Sequence, residues 1–260
     1  EHTTLMHTLK QYGSYVNTTD VQLAAAADPV LKIISERQAT QAGETIDFLS
    51  FKVFRAGTAV KYVGASATAR AHVDMHIGGV ACAVNNPGVS ATLGPLQTAI
   101  RALQNNDARK LKSKLKASVG IATEPIRESY VAICHPDLQQ DIQALPGFVA
   151  VEKYSDSGDV IEGEIGGVEG VRFITTTQAV PFKDAGDTTG AGAGSVSTGG
   201  SNNDVYPVLI FAEDAIGCAT LGGMDSLRSK VVMPKPGPGD PLGQRGTVAW
   251  DTFYSCIILQ

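Results

Sequence analysis

The chain has 260 residues, 43% hydrophobic and 18% charged, with 28 glycines and a formal net charge of −5. That length and apolar content suffice for one large domain or two small ones. The negative balance argues against tight nucleic-acid binding by phosphate neutralisation, and no apolar run reaches the length of a membrane span.

Few charges and many glycines lean toward a surface covered by neighbours. There is no signal peptide, and residue 1 is Glu rather than Met, so a preceding N-terminal piece is expected. The first 18 residues mix Thr, Leu, Tyr and Val and read as extended chain, a long strand or hairpin arm. Asp28 then offers an N-cap, Pro29 a first helical position and Gly57 a stop. Between them Leu31, Ile34, Gln38, Ala42, Ile46, Leu49, Val53 and Ala56 step by three or four, and only Gln38 interrupts the apolar stripe. Glu36, Arg37, Gln41, Glu44, Lys52 and Arg55 lie elsewhere on the helix. A helix over 29–56 is about 42 Å long at 1.5 Å per residue. It needs an equally long partner. The rest of the chain supplies no helix of that length, which predicts a sheet running alongside.

After Gly57 the pattern breaks into short alternating pieces. His72, Asp74 and His76 alternate in "AHVDMH"; on a strand all three point to one side, an acceptable metal geometry. They carry the alternative of a metal-binding enzyme, against a polar sheet face or subunit contact. Thr92 and Pro95 open a second helix with Leu96, Ala99, Ile100 and Leu103 on one face. It runs into "ARKLKSKLK", which has no interleaved aromatics for base stacking and reads as a solvated face.

"SYVAIC" reads as a buried strand, and "ICHPDLQQDI" gathers Cys134, His135, Asp137 and Asp141 within ten residues. Each polar group there has a local structural role. Pro136 sits at a first helical position, and Asp137 lies in the first turn, where the helix dipole favours a carboxylate. Leu138, Ile142 and Leu145 share a face, and Pro146-Gly147 ends the helix. A catalytic reading needs a partner constellation, and the sequence offers none. Residues 152–169 carry six acids against one lysine; the spacing fails the calcium-loop pattern and reads as a charged turn and strand edge. "GVRFITTTQAV" is a strong strand. Residues 183–204 are rich in Gly, Ser and Thr and read as a mobile surface loop. "VYPVLIFAEDAIGCATL" resumes strand and then turn. A Pro/Gly-rich turn region leads into a long apolar terminal segment with the only Trp, Trp250.

The cysteines are Cys82, Cys134, Cys218 and Cys256, with no CxxC; three lie in apolar runs and read as buried, reduced thiols, with a disulfide or zinc frame as the alternative. "GAGAG" at 190–194 lacks the strand and helix of a dinucleotide fingerprint. No phosphate-binding Gly-Lys-Ser/Thr, nucleophile elbow or HExxH is present. No catalytic, cofactor or metal residue is assigned, which leans toward a structural or assembly role.

Five segments in order carry a resemblance: "LKQYGSYVNTTDVQLAAAADPVLKIISERQATQAGETIDFLSFKVFRAGTAVKY", "HPDLQQDIQALPGFVAVEKY", "GEIGGVEGVRFITTTQA", "VYPVLIFAEDAIG" and "DPLGQRGTVAWDTFYSCIIL". Together they resemble the major capsid proteins of tailed bacteriophages, of the N-four-type podophage family. The resemblance implies an α+β Hong Kong 97-type fold, shared with encapsulin shells. It implies an extended loop and the start of a peripheral domain over 1–27, a peripheral domain with a spine helix over 28–90, and an axial domain over 91–235 with a flexible 183–204 loop. A return segment to the peripheral or central sheet then spans 236–260. The implied function is a structural subunit that self-assembles into hexamers and pentamers of an icosahedral head around double-stranded DNA, or an encapsulin-like shell. It implies no enzyme activity and no cofactor. Portal, scaffold and decoration proteins are implied partners, with weak non-specific contact to packaged DNA, no membrane, and a place in the virion after assembly in the host cytoplasm. Within that picture, basic Arg109, Lys110, Lys112 and Lys114 are candidates to pair with acidic Glu152, Asp156, Glu162 and Glu164 of a neighbouring subunit. The arm and first half of the extended loop usual in the family are missing before Glu1, and the 183–204 insertion is longer than the family core needs.

Overall fold

The computed structural model describes residues 6–25, 29–62, 69–72, 94–111, 128–154, 160–186, 198–219, 221 and 227–259. In chain order these form β1 (Lys10–Thr19), α1 (Asp20–Ala25), α2 (Val30–Phe54), α3 (Gly94–Asn105), β2 (Tyr130–Cys134), α4 (Gln139–Gln143), β3 (Val149–Ala150), β4 (Glu164–Val168), β5 (Val171–Thr175), β6 (Leu209–Phe211), β7 (Ile216–Ala219), β8 (Leu227–Val232) and β9 (Arg245–Ile258). Three-residue 3-10 turns lie at Arg70–His72, Pro136–Leu138 and Val151–Lys153. The class is α+β. The chain divides into two compact units, residues 1–54 with 216–260, and residues 55–215.

The first unit is built on β9. β1 lies antiparallel to it, with Lys10 opposite Tyr254 and Thr19 opposite Arg245. β8 pairs antiparallel with residues 247–252, which β1 already pairs, so β8 must take the other edge. β7 pairs with residues 255–258. Alternation sorts the faces. Val248, Trp250, Thr252 and Cys256 are buried on one face of β9, and Tyr254 on that face hydrogen-bonds Ser50 of α2 at 2.7 Å. The partner of the long helix is therefore this sheet, as the sequence predicts. At 25 residues α2 is roughly 37 Å long. The Pro29 carbonyl accepts its first bonds, from Lys32 and Ile33. Leu31, Ile34, Gln38, Ala42, Ile46, Leu49 and Val53 are its inward positions, with Ala42 alone fully buried. On the other face of the sheet Asp251 sits between Lys230, at 3.1 Å, and Arg228 of β8.

The second unit is a five-stranded sheet in the order β3-β4-β5-β2-β6. β2 and β5 are parallel and the other pairs antiparallel. Tyr130, Ala132 and Cys134 of β2 join Val171 and Phe173 of β5 on one face, over Leu96 and Ile100 of α3 and over Leu138, Ile142 and Leu145. The strand-to-helix handover at Pro136 matches the expectation, although its first turn is 3-10. β4 and β5 form a hairpin through Glu169-Gly170, both at positive φ, the geometry of a type I′ turn. Gly166 is required by close approach: a side chain there would run into the Phe148 ring and the Val149 carbonyl.

Arg172 points to the opposite side of β5 and is wholly buried. Its Nε lies 3.6 Å from Glu164 Oε1. That carboxylate also accepts from the Tyr154 hydroxyl at 2.7 Å and the Ile161 amide at 3.1 Å. Residues 183–204 differ from the expected loop at both ends. Phe182 and Val205 exchange backbone bonds at 2.8 and 2.9 Å. Asp204 is fully buried, accepting from the Asp184 amide at 2.7 Å and the Thr198 hydroxyl. Asp184 accepts in turn from the Asn202 amide at 2.7 Å. Residues 187–197 lie outside the described residues.

Two predictions follow from the buried charges. Glu164→Leu removes the carboxylate beside a wholly buried guanidinium and costs about 3–5 kcal/mol in urea denaturation, whereas Glu164→Leu with Arg172→Met recovers at least half of that loss. For Asp251, the bond from Lys230 holds the carboxyl below the usual aspartate range; burial opposes this and Arg228 reinforces it. A depressed carboxylate stabilises the fold above its unfolded pKa, about 3.9, and loses that contribution as pH falls through the lower folded value. Asp251→Asn should therefore be less stable than wild type at pH 7, with the gap closing below pH ~4 in acid denaturation.

Candidate functional site

The chemistry-bearing cluster at the end of β2 resolves into separate structural roles. Cys134 faces the core, its Sγ donating to the Ile174 carbonyl at 3.5 Å. Burial pushes this thiol up to about 12, so it holds essentially no thiolate at neutral pH. The adjacent His135 instead caps the 3-10 turn. Its Nδ1 is 3.3 Å from the Asp137 amide and 3.1 Å from Asp137 Oδ2. It accepts from the amide when neutral and donates to the carboxylate when protonated. The Tyr206 hydroxyl donates to the same Oδ2 at 2.7 Å, and burial, helped by that bond, pushes the phenol up. Cys134 and His135 have different partners and make no nucleophile–base pair.

The expected metal set fares differently from the sequence reading. His72 lies in the 3-10 turn Arg70–His72, not on a strand, so the alternation argument does not apply to it; Asp74 and His76 lie outside the described residues. Among the described residues no three His, Cys, Asp or Glu side chains form a metal-ligand group.

The predicted contact residues divide three ways. Arg109 and Lys110 are exposed, on a segment whose backbone is pinned. α3 ends through Asp107 at positive φ; the Ala108 carbonyl then accepts from the Tyr130 hydroxyl at 3.0 Å, and the Arg109 carbonyl from the Glu213 amide at 3.0 Å. The main chain there is fixed, and both cationic side chains are exposed. Glu152 and Glu162 are also exposed. Glu164 is a correction: its side chain is wholly buried against Arg172 and Tyr154 and is unavailable to a neighbour. Lys112, Lys114 and Asp156 lie outside the described residues.

Exposed apolar side chains add to the surface. Phe48 and Ile33 on α2 are 52% and 41% exposed, and Tyr15, Val231, Val232, Met233 and Leu242 are exposed as well. A further cationic feature escaped the sequence reading: Arg55 and Arg70 both lie over the ring of Phe182. These residues are spread over more than a hundred positions, so no local pattern announces them.

Comparison with known proteins places this geometry. The profile described as phage capsid protein matches residues 2–255. The major capsid protein of Pseudomonas phage KPP21 is 24% identical over 266 residues, spanning 96% of this chain; the chain in turn spans 63% of that relative. Among solved structures, the capsid of Ralstonia phage GP4 superposes with a TM-score of 0.55 at 13% identity, over 96% of this chain and 69% of that one. The capsid of cyanophage P-SCSP1u gives 0.51 at 16% identity, over 99% and 75%. The mature capsid of bacteriophage PhiM1 gives 0.53 at 12% identity, over 98% and 69%. At these identities the structural likeness speaks for the fold.

The thiols check the structural reading of the cysteine cluster. In native protein at pH 8, iodoacetamide should modify exposed Cys218 readily and leave Cys134 untouched until denaturant is added, by mass spectrometry of the digested chain. Rapid native labelling of Cys134 would restore it as a candidate nucleophile.

Proposed function

Because this chain belongs to the phage capsid protein family, we propose that it is a major capsid protein, a structural subunit whose activity is association rather than catalysis. Copies assemble into hexamers and pentamers of an icosahedral head that encloses double-stranded DNA. The observation that carries this reading is the family match across nearly the whole chain, supported by an α+β fold similar to solved phage capsids. The unit of residues 1–54 with 216–260, with α2 along its sheet, is the peripheral domain, and the unit of residues 55–215 is the axial domain. The place of action is the virion, after assembly in the host cytoplasm. Portal, scaffold and decoration proteins are its further partners.

The physical basis is repeated burial. Closed symmetry multiplies each contact, and a stable interface hides about 1,200–2,000 Å² in total. The apolar side chains exposed on α2 and β8 supply area, and charged residues supply register. Arg109 and Lys110 pair with the acidic side chains of Glu152 and Glu162 of a neighbour; Lys112, Lys114 and Asp156 are further candidates by charge alone. The net charge of −5 also keeps packaged DNA from adhering to the wall, leaving contacts that are weak and non-specific.

Sedimentation velocity and negative-stain electron microscopy of the purified protein test the reading. Shells or ring-shaped capsomers are expected; a monomer under all assembly conditions rejects it. Reversing Arg109 and Lys110 to Glu should weaken assembly by roughly tenfold or more, and combining that reversal with Glu152→Lys and Glu162→Lys should restore part of the loss.

A further inference from the structure

The second unit holds two arginines in an arrangement that none of the contacts above uses. Arg55, the first residue after α2, has its guanidinium carbon 4.1 Å from the centroid of the Phe182 ring. Arg70, in the 3-10 turn, is 3.6 Å from the same centroid. Both residues are half-buried. One Arg55 nitrogen, Nη2, donates to the Pro181 carbonyl at 3.3 Å, and its Nε is buried without an acceptor. Among the described residues neither guanidinium has a carboxylate within ion-pair distance. The π-face attracts each cation. Yet one ring holds the two charges closer together than the Debye length of about 10 Å at 0.1 M salt, so they repel with little screening. Burial, and then the charge of Arg70, makes Arg55 less willing to hold its proton. Among the described residues the arrangement has a surplus of positive charge and an unfilled donor.

We propose that Arg55 and Arg70, on the platform of Phe182, form a receptor for one Asp or Glu carboxylate of a second copy of this chain. The inference rests on the assembly function above. A carboxylate matches the planar donor fork of a guanidinium, and one bound alongside the two cations offsets their like charge. The chain carries 26 acidic side chains against 21 Lys and Arg, so a neighbouring copy presents carboxylates in excess. A DNA backbone fits less well. Duplex binding draws on several phosphate contacts from extended cationic side chains, and here two half-buried guanidiniums share one small platform.

The test compares wild type, Arg55→Gln/Arg70→Gln and Arg70→Lys. The double variant should keep the thermal unfolding midpoint of wild type and need roughly tenfold or more protein to assemble, by sedimentation velocity. Arg70→Lys places a coupling amine in the receptor. Heavy-nitrogen and unlabelled copies of that variant are mixed, assembled and treated with a zero-length carbodiimide. The expected product joins the residue-70 peptide of one label to an Asp or Glu peptide of the other. If the double variant unfolds, the cross-link alone decides. Unchanged assembly of a folded double variant, or residue-70 links confined to a single label, overturns the proposal. So does a double variant that assembles normally and instead loses retention of duplex DNA, which assigns the pair to phosphate. Wild type that never assembles fails the assembly function itself, a separate outcome because it is read on the unaltered protein.

Discussion

β9 is the constraint on which the first unit depends. Over residues 247–252 it is paired on both edges, and β1, β8, β7 and α2 are all laid against it. Its register joins Lys10 to Tyr254, so the sheet closes across nearly the full length of the chain. Such contacts carry a loop-closure cost before any reward, and they slow folding. Until β9 arrives, β1 has no strand partner among the described residues and α2 lacks most of the surface for its apolar stripe. The last strand made is therefore the one that sets the long helix in place.

That order has a consequence at the surface of α2. Only Ala42 is fully buried along 25 residues, and Phe48 and Ile33 remain substantially exposed on the outer side. A helix stabilised by one stripe on its own sheet keeps its other side free for other contacts, and most helical stability comes from packing rather than propensity. The same holds for β8, where Val231 and Val232 stay exposed beside a polar face organised by Asp251. Scattered exposed apolar residues are ordinary on any protein. Here they recur on the elements that frame one sheet, as the proposed association of copies requires.

The long helix was legible because its 3.6-residue stripe extends over seven turns, and the β2 handover because Pro136 and Asp137 mark it locally. β1 was legible as extended chain and β9 only as a long apolar terminal segment, and nothing local in either names the other as partner. The β4–β5 hairpin was hidden inside an acidic run, since its Glu-Gly turn lacks the usual Asn-Gly signal. β8 was missed because "LRSKVV" shows no clean alternation. Glu164 was misplaced for a related reason. An acid among five others reads as solvated, and what buries it is Arg172, brought close only by the pairing of β4 with β5. The ends of 183–204 failed similarly: composition predicts disorder, but Asp204 satisfies backbone and hydroxyl donors that composition does not reveal. Of the candidate contact set, exposed Arg109, Lys110, Glu152 and Glu162 could be chosen from charge alone, because a charged side chain is on the surface by default.

Arginine is used in two ways in the second unit, and the contrast separates folding from association. Arg172 is wholly buried and has its counter-charge within the same chain, 3.6 Å away, with the Tyr154 ring centroid 5.4 Å from its guanidinium carbon. Full burial leaves no other option, because an isolated charge in the interior costs several kcal/mol or more. Arg55 and Arg70 are half-buried on a ring and a carbonyl, with water still able to reach them. A chain that folds on its own has to neutralise its deepest charges internally. A charge meant for a partner must stay partly solvated until that partner arrives. Depth of burial thus sorts the two kinds: Glu164, inside an acidic run, belongs to the fold, while the half-exposed cations around Phe182 have no counter-charge among the described residues and are the ones proposed to meet a partner.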